Sequence, residues 1–464
     1  MAEKQPMSDL IVLIPGILGS VLVDKGGNEI WGASGSSIVG NLLSFGRGLN
    51  RLELPPGIGH DNPKDGIIAP RVLPSLYMVP TFWKADGYGR LAQHLKERFT
   101  LTPATDSQAG NLLEFPYDWR LSNQLNAQRL SDKVVPLLER WRQSTNNTNA
   151  KFIFICHSMG GLVARYFLEA LGGRELTSKL ITIGTPYRGS INALDALVNG
   201  LVLGLGPIGV SVDRLVRSFP SAYQLLPTYE CLDVGDGELR KLNGSDLPEP
   251  VNKNDAAEAM AFHTRISNNI EKNAKYETFA IKGIDQPTSQ SALLRNGKIE
   301  PMRSYKGEDK FGDGTVPRPS AHPPEWPNEG PSVFASQSHA MLQSTDSMLT
   351  QIFGMLTGHL GKFMGGAGIG LEVPAIAEAG KTVPVNVTSN DGNSTLALHA
   401  LCQGEDGQPR GNPKLMKAFG EGRYQAKFDD LPEGAYKITV RSATPAKPID
   451  PVSDWTMMWN AAAA

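Results

Sequence analysis

The sequence predicts a layered α/β protein followed by a small all-β unit. Three observations carry that expectation. Apolar strand candidates alternate with helical patterns up to about residue 360, the order expected of a parallel sheet covered on both faces. Two of the strands, "LIVLIP" from Leu10 and "KFIFIC" from Lys151, are continuously apolar, as strands buried on both faces should be. Beyond residue 370 the apolar period changes to two, in Val383, Val385 and Val387, in Tyr424, Ala426 and Phe428, and in Tyr436, Ile438 and Val440.

The other parallel-strand candidates are "LLEFPYDW" from Leu112, "KLITIG" from Lys179, "YETFAIKG" from Tyr276 and "SVFAS" from Ser332. Helical spacing appears in "LSDKVVPLLERWRQ" and in "HAMLQSTDSMLTQIFGML". Two long insertions, residues 32–84 and 190–260, interrupt the alternation, and inserts of that length in a compact α/β domain act as lids or caps. The first places Ile38, Leu42 and Phe45 at helical spacing. Residues 361–370, "GKFMGGAGIG", read as a Gly-rich linker; the dinucleotide-loop spacing fails there and no strand precedes it. The expected organisation is therefore an α/β domain over 1–360, the linker, and a β-sandwich over 371–464, with "DDLPEG" as a turn between its last strands. The final run "DWTMMWN" also alternates.

A chain of 464 residues is long for a single core, which agrees with two domains. With 40% hydrophobic and 20% charged residues it has the composition of a globular protein. Its 45 basic and 47 acidic side chains give a net charge of −2, which excludes bulk attraction to nucleic acid or to an anionic membrane. Three scattered cysteines, Cys156, Cys231 and Cys402, argue against a disulfide framework and fit a reducing compartment. The short apolar run at Leu10 reads as a strand and not as a signal peptide, so a cytoplasmic location is expected. No metal-ligand spacing or cofactor motif is present; "DVGDGE" from Asp233 lacks the calcium-loop pattern.

The chemistry centres on "KFIFICHSMGGLVARYFLEAL", an apolar strand, a small-residue turn and an amphipathic helix with Ser158 at the apex. A strained strand-to-helix turn exposes the apex hydroxyl above a sheet edge and needs small residues two positions either side. Gly160 satisfies this, while Cys156 stands where glycine is usual. The competing reading is a serine that caps a buried helix. A nucleophilic serine requires a base, an acid and oxyanion donors. In this architecture acid and histidine follow the serine in the chain, which leaves His263, His322, His339, His359 and His399. His339 follows the last strand and opens a helical pattern, and it is favoured over His322, held in extended chain by prolines. Asp313, between two glycines, is the acid candidate, with Asp285 at a strand end as competitor. Backbone N–H groups of Met159 and Ile17 are the oxyanion candidates.

Seven strings in order, "LIPGILGS", "FPYDWRLS", "CHSMGG", "TIGTPYRGS", "SFPSAYQLLP", "GDGTVP" and "SHAML", resemble the lecithin:cholesterol acyltransferase family, with its lysosomal phospholipase A2-like members, over residues 9–350. The resemblance implies an α/β-hydrolase fold with lid insertions and an acyl-serine mechanism on lipid esters, with water or an alcohol as acceptor. It assigns Ser158, Asp313 and His339 as the triad, and Ile17 and Met159 as oxyanion donors. It also suggests Trp31 as a lid-proximal substrate contact, although a core tryptophan is an equal reading. Leu42 and Phe45 would line an acyl channel or touch a membrane surface, or simply pack beneath the insert. "YDWR" is similar to a family hallmark, read here as a buried ion pair of Asp118 and Arg120. The C-terminal unit resembles immunoglobulin-like or transthyretin-like modules and is expected to dock a protein partner or the hydrolase itself. The alternatives are a small-ester esterase or thioesterase and, further off, an idle hydrolase scaffold.

Overall fold

In the computed structural model, the structure describes residues 3–32, 49–61, 64–74, 77–79, 83–85, 87–203, 210–271, 275–359, 368–390, 392, 394–444 and 449–459. Six strands form the main sheet: β1 (Leu10–Ile14), β2 (Leu112–Glu114), β3 (Phe152–His157), β4 (Thr177–Ile183), β5 (Glu277–Gly283) and β6 (Ser332–Ala335). Their order is β6-β5-β4-β3-β1-β2 and every neighbouring pair is parallel. Each contains residues of a strand the sequence predicts. "LLEFPYDW" stays extended only to Glu114, after which Phe115 N–H bonds Leu13 and the chain turns away.

The continuous apolar runs of β1 and β3 have their stated cause. Leu10, Val12 and Ile14 join Phe152, Phe154 and Cys156 in the core on one face. Ile11, Leu13, Ile153 and Ile155 join Ile181, Ile183 and Ile281 in the core on the other. The longer helices cover these faces: α1 (Gly89–Arg98), α2 (Asn123–Thr145), α3 (Gly160–Ala170), α4 (Ile191–Asn199), α5 (Lys253–Asn268) and α6 (Asp346–Thr357). Leu91 and Leu95 of α1 and Leu349 and Ile352 of α6 belong to the second core, and Leu162 and Phe167 of α3 to the first. Ser122 caps α2, and α6 ends at Gly358 with φ 74°, a left-handed position that suits glycine. The helix expected to open at His339 begins only at Asp346; residues between form turns, with Met341 N–H bonded to Ser338.

A second sheet, of strands Glu230–Asp233, Arg240–Lys241, Ser291–Arg295 and Lys298–Met302, lies outside the predicted elements. Its last two strands make a hairpin turning at Asn296 and Gly297, both with positive φ, the geometry a two-residue Asn-Gly loop favours.

The C-terminal unit is a sandwich of two sheets. One holds Ile369–Glu372, Val383–Ser389, Lys417–Gly420 and Arg423–Phe428; the other holds Ile376–Glu378, Leu398–Gly404, Lys414–Leu415, Gly434–Ser442 and Val452–Trp459. Val383, Val385 and Val387 of the first meet Ile438, Val440 and Val452 of the second in a shared core. The first strand starts within the stretch read as linker. The last strand does not alternate in burial: only Asp454 is half-buried, because residues on both faces are covered.

Candidate active site

The site begins where β3 ends. Ser158 has φ 52°, a left-handed conformation that costs a non-glycine residue about 1–3 kcal/mol. Its N–H bonds Ile183 O at the end of β4 (2.8 Å), and α3 starts two residues later. The Ser158 hydroxyl bonds none of the helix N–H groups, so it is not a helix cap. Gly160 is required by contact, since a Cβ there would overlap the carbonyl oxygens of Ile14 and Pro15 at the end of β1. Cys156 sits fully buried opposite Ile14 and Thr182 within the sheet, and burial pushes its thiol well above the usual range.

The loop after β1 supplies the second wall. A Cβ on Gly16 would lie 2.8 Å from Ser158 Cβ, so only glycine lets this backbone pass the serine. The Gly16 N–H is taken by Tyr88 Oη (2.8 Å). The next N–H, of Ile17, and that of Met159 have no acceptor among the described residues, which leaves both able to bind an anion beside Ser158. Leu18, also at positive φ, is fixed by a hydrogen bond from Trp31 Nε1 to its carbonyl (3.0 Å).

Asp313 and His339 meet from loops after β5 and β6. His339 Nδ1 lies 2.7 Å from Asp313 Oδ2, both residues are buried, and His339 N–H bonds the Asp313 carbonyl (2.7 Å). Asp313 Oδ1 accepts the N–H groups of Thr315 and Val316 (2.9 and 2.6 Å), so the carboxylate is oriented by its own turn. Gly184 follows the residue that holds Ser158 N–H; a Cβ there would stand 3.0 Å from both Asp313 Oδ2 and His339 Nδ1. The strained serine, the imidazole and the carboxylate thus gather at the carboxyl edge of β3, β4 and β5. Ser158 itself has no exposed surface.

His157, which sequence reasoning passed over, links the two walls. Its ring lies against that of His339, centroids 4.8 Å apart. Burial, with the neighbouring His339 second, holds its pKa well below the usual 6.5, so the ring is neutral. One proton arrangement satisfies every contact: Gly16 N–H donates to Tyr88 Oη, Tyr88 O–H to His157 Nδ1 (2.9 Å), and His157 Nε2–H to the His339 carbonyl (3.2 Å). A histidine directly before an elbow serine was the available signal.

The competing candidates are engaged elsewhere. Asp285 Oδ2 bonds Ser336 Oγ, and His322 faces Arg188 with its pKa lowered to about 4, by burial first and nearby Lys282 and Arg188 next. His263 in α5 is bonded to Gln224 O (2.9 Å), and burial lowers it to about 4. Trp31 is only 3% exposed and packs edge-on to Trp119 at 5.1 Å, a core position beneath the oxyanion loop. Ile38, Leu42 and Phe45 lie outside the described residues. Asp118 and Arg120 form the buried pair expected (2.9 and 2.7 Å); Arg120 also bonds Asp65 (2.7 Å) and the Leu52 carbonyl, tying the first insertion to the end of β2. Loss of one partner from such a buried set typically costs about 3–5 kcal/mol.

A parallel sheet with a strained serine between its third strand and the following helix, an acid and then a histidine defines an α/β-hydrolase. Within it, residues 106–239, which include the elbow, match the sequence pattern of the lecithin:cholesterol acyltransferase family. A phospholipid–sterol O-acyltransferase of Arabidopsis thaliana is 31% identical over 134 residues, which is 26% of this chain and 20% of that enzyme, so the match spans a fifth of its length. Among solved structures, the Bacillus licheniformis lipase BlEst2 aligns in its mature form at 13% identity and TM-score 0.36, over 77% of this chain and 95% of the lipase. Its propeptide form aligns at 12% identity and TM-score 0.37, over 100% and 96%.

Proposed function

We propose that the protein is a lipid acyl hydrolase or O-acyltransferase working through an acyl-Ser158 intermediate. The observation that carries this reading is the hydrogen-bonded Asp313–His339 pair at the same sheet edge as a serine held at φ 52°. His339 removes the Ser158 proton as the hydroxyl attacks an ester carbonyl, and Asp313 fixes the imidazole tautomer and stabilises its cation. The N–H groups of Ile17 and Met159 bind the developing oxyanion, a donor of this kind typically contributing about 2.7–4 kcal/mol. His339 then passes its proton to the leaving alcohol, and water or a second alcohol takes the acyl group.

The lipid side of the reading is supported by the family match over residues 106–239. Two insertions would act as the lid, touching a lipid surface peripherally; among the described residues no helix is long and apolar enough to cross a membrane. Three unpaired, buried cysteines favour a reducing compartment, the cytoplasm.

A serine-directed fluorophosphonate tests the mechanism: the folded protein should be labelled at Ser158, and Ser158→Ala should lose labelling and on the order of 10⁶-fold in kcat. Absence of labelling would end the enzyme reading. A panel of phospholipids and short soluble esters, with and without an added alcohol, tests the substrate; turnover confined to short esters would replace the lipid reading with a simple esterase.

A further inference from the structure

The C-terminal sandwich is seated on the two loops that bring Asp313 and His339 together. On the acid side, Gln286 is 1% exposed and faces two ways. Its backbone pairs with the acid turn: Gln286 N–H bonds Gly312 O (3.1 Å) and Gly312 N–H bonds Gln286 O (3.2 Å). Thr288 Oγ donates to the same Gln286 carbonyl (2.8 Å) and accepts Gly314 N–H (2.8 Å), so both glycines flanking Asp313 are held. The Gln286 side chain enters the first sandwich strand, with Nε2 donating to Ile369 O (3.0 Å) and Oε1 accepting Leu371 N–H (2.9 Å). That amide occupies the backbone groups a neighbouring strand would otherwise use. The fit leaves no space for another residue at Gly370, whose Cβ would overlap the Asp285 carbonyl.

On the base side, the two residues before His339 reach the start of the last sandwich strand. Gln337 Nε2 donates to Pro451 O (2.7 Å) and Ser338 Oγ to Ser453 O (2.8 Å). The first and last strands of the sandwich therefore contact the acid loop and the base loop separately, and the contacts of Gln286 with Ile369 and Leu371 and of Ser338 with Ser453 are buried.

We propose that the sandwich is a positioning element for the acid–base pair, acting through Gln286 and Ser338. Neither residue touches the reacting atoms. Each fixes a loop whose displacement lengthens the Asp313–His339 contact or swings the imidazole from Ser158, and misplacement of about 1 Å costs on the order of 10²-fold in rate. The proposal rests on the acyl-serine reading, so its test separates the two.

The full chain is compared as wild type, Gln286→Ala, Ser338→Ala, Ser338→Thr and Val440→Ala, using the fluorophosphonate labelling rate, kcat and KM on a p-nitrophenyl ester, and Tm. Gln286→Ala and Ser338→Ala should lower kcat and the labelling rate by about 10- to 100-fold with KM within about twofold, up to the scale that a misplacement of about 1 Å carries. Ser338→Thr keeps the hydroxyl and should recover most of the rate. Val440→Ala opens the sandwich core, should lower Tm, and should leave the labelling rate unchanged below melting, because both sets of contacts remain. Wild-type rates in folded Gln286→Ala and Ser338→Ala would overturn the proposal, as would a loss in Val440→Ala matching theirs. If Gln286→Ala does not fold, the Ser338 pair decides. An unlabelled wild type instead removes the acyl-serine reading beneath it.

Discussion

The two halves of the site are held by different physics. The nucleophile half is local and made of backbone: β3, a positive-φ serine and α3 are contiguous, and the glycines at 16 and 160 let main chain pass where a Cβ would overlap. The half with Asp313 and His339 joins residues 26 apart on separate loops, through backbone and side-chain hydrogen bonds, some of which reach another sheet system. Close backbone approach dominates the first half, while in the second the close approaches at Gly184 and Gly283 are joined by long-range directional hydrogen bonds. The first should tolerate almost no change in side-chain size, the second almost no change in donor or acceptor identity.

The largest effect expected from that contrast is at Asp313. Asp313→Asn keeps an acceptor for the Thr315 and Val316 N–H groups, so the fold should persist. It offers Nδ1 the wrong partner, and kcat should drop by about 10⁴-fold, as such a change does in a triad. A loss below tenfold would mean that the carboxylate does not orient the imidazole. Next is Gly16→Ala, where a single methyl must displace either the loop or Ser158. With the Ile17 N–H misaligned, kcat should fall by about 10²- to 10³-fold with little change in Tm. Unaltered turnover would show that the close approach has no part in the reaction.

Smaller effects come from the contacts that join the halves. Tyr88→Phe removes the hydroxyl between Gly16 N–H and His157 Nδ1. Chemical denaturation should show a loss of about 1–3 kcal/mol from the buried groups left without partners, and kcat should fall less than in Gly16→Ala. The smallest concerns pH and the first insertion. His60 Nε2 lies 3.0 Å from Asp255 in α5, and that hydrogen bond raises the His60 pKa above the usual 6.5. A raised folded-state value stabilises below the unfolded value and the contribution is lost as pH rises through the folded one. The Tm gap between wild type and His60→Gln should therefore be widest near pH 6 and narrow toward pH 8; a gap that widens with pH would refute the pairing.

The same contrast explains what the sequence discloses. A buried parallel strand must be apolar throughout, so β1 and β3 are visible as runs, and an elbow needs its small residues within a few positions, so Ser158 and Gly160 are visible together. Period two marks Val383, Val385 and Val387 because one face of their sheet meets the sandwich core. The acid and base are legible as residue types placed after strands, whereas Gln286 looks like any polar turn residue: its role depends on a strand that begins 83 residues later. Asn296-Gly297 is a hairpin signal, but a faint one, because both flanking strands carry charged residues instead of a clean apolar alternation. His339 does not open a helix because its apolar neighbours Ala340, Met341 and Leu342 are buried in turns, and the helix begins only at Asp346.

One feature of the elbow bears on how any reaction there would be timed. A serine with zero exposure meets no ester until something above it gives way, so encounter with substrate is a gated event and not a simple collision. At rising reagent concentration the modification rate should level off at the frequency with which Ser158 becomes accessible. That plateau would be a clock for a motion belonging to the protein alone, independent of what is waiting outside.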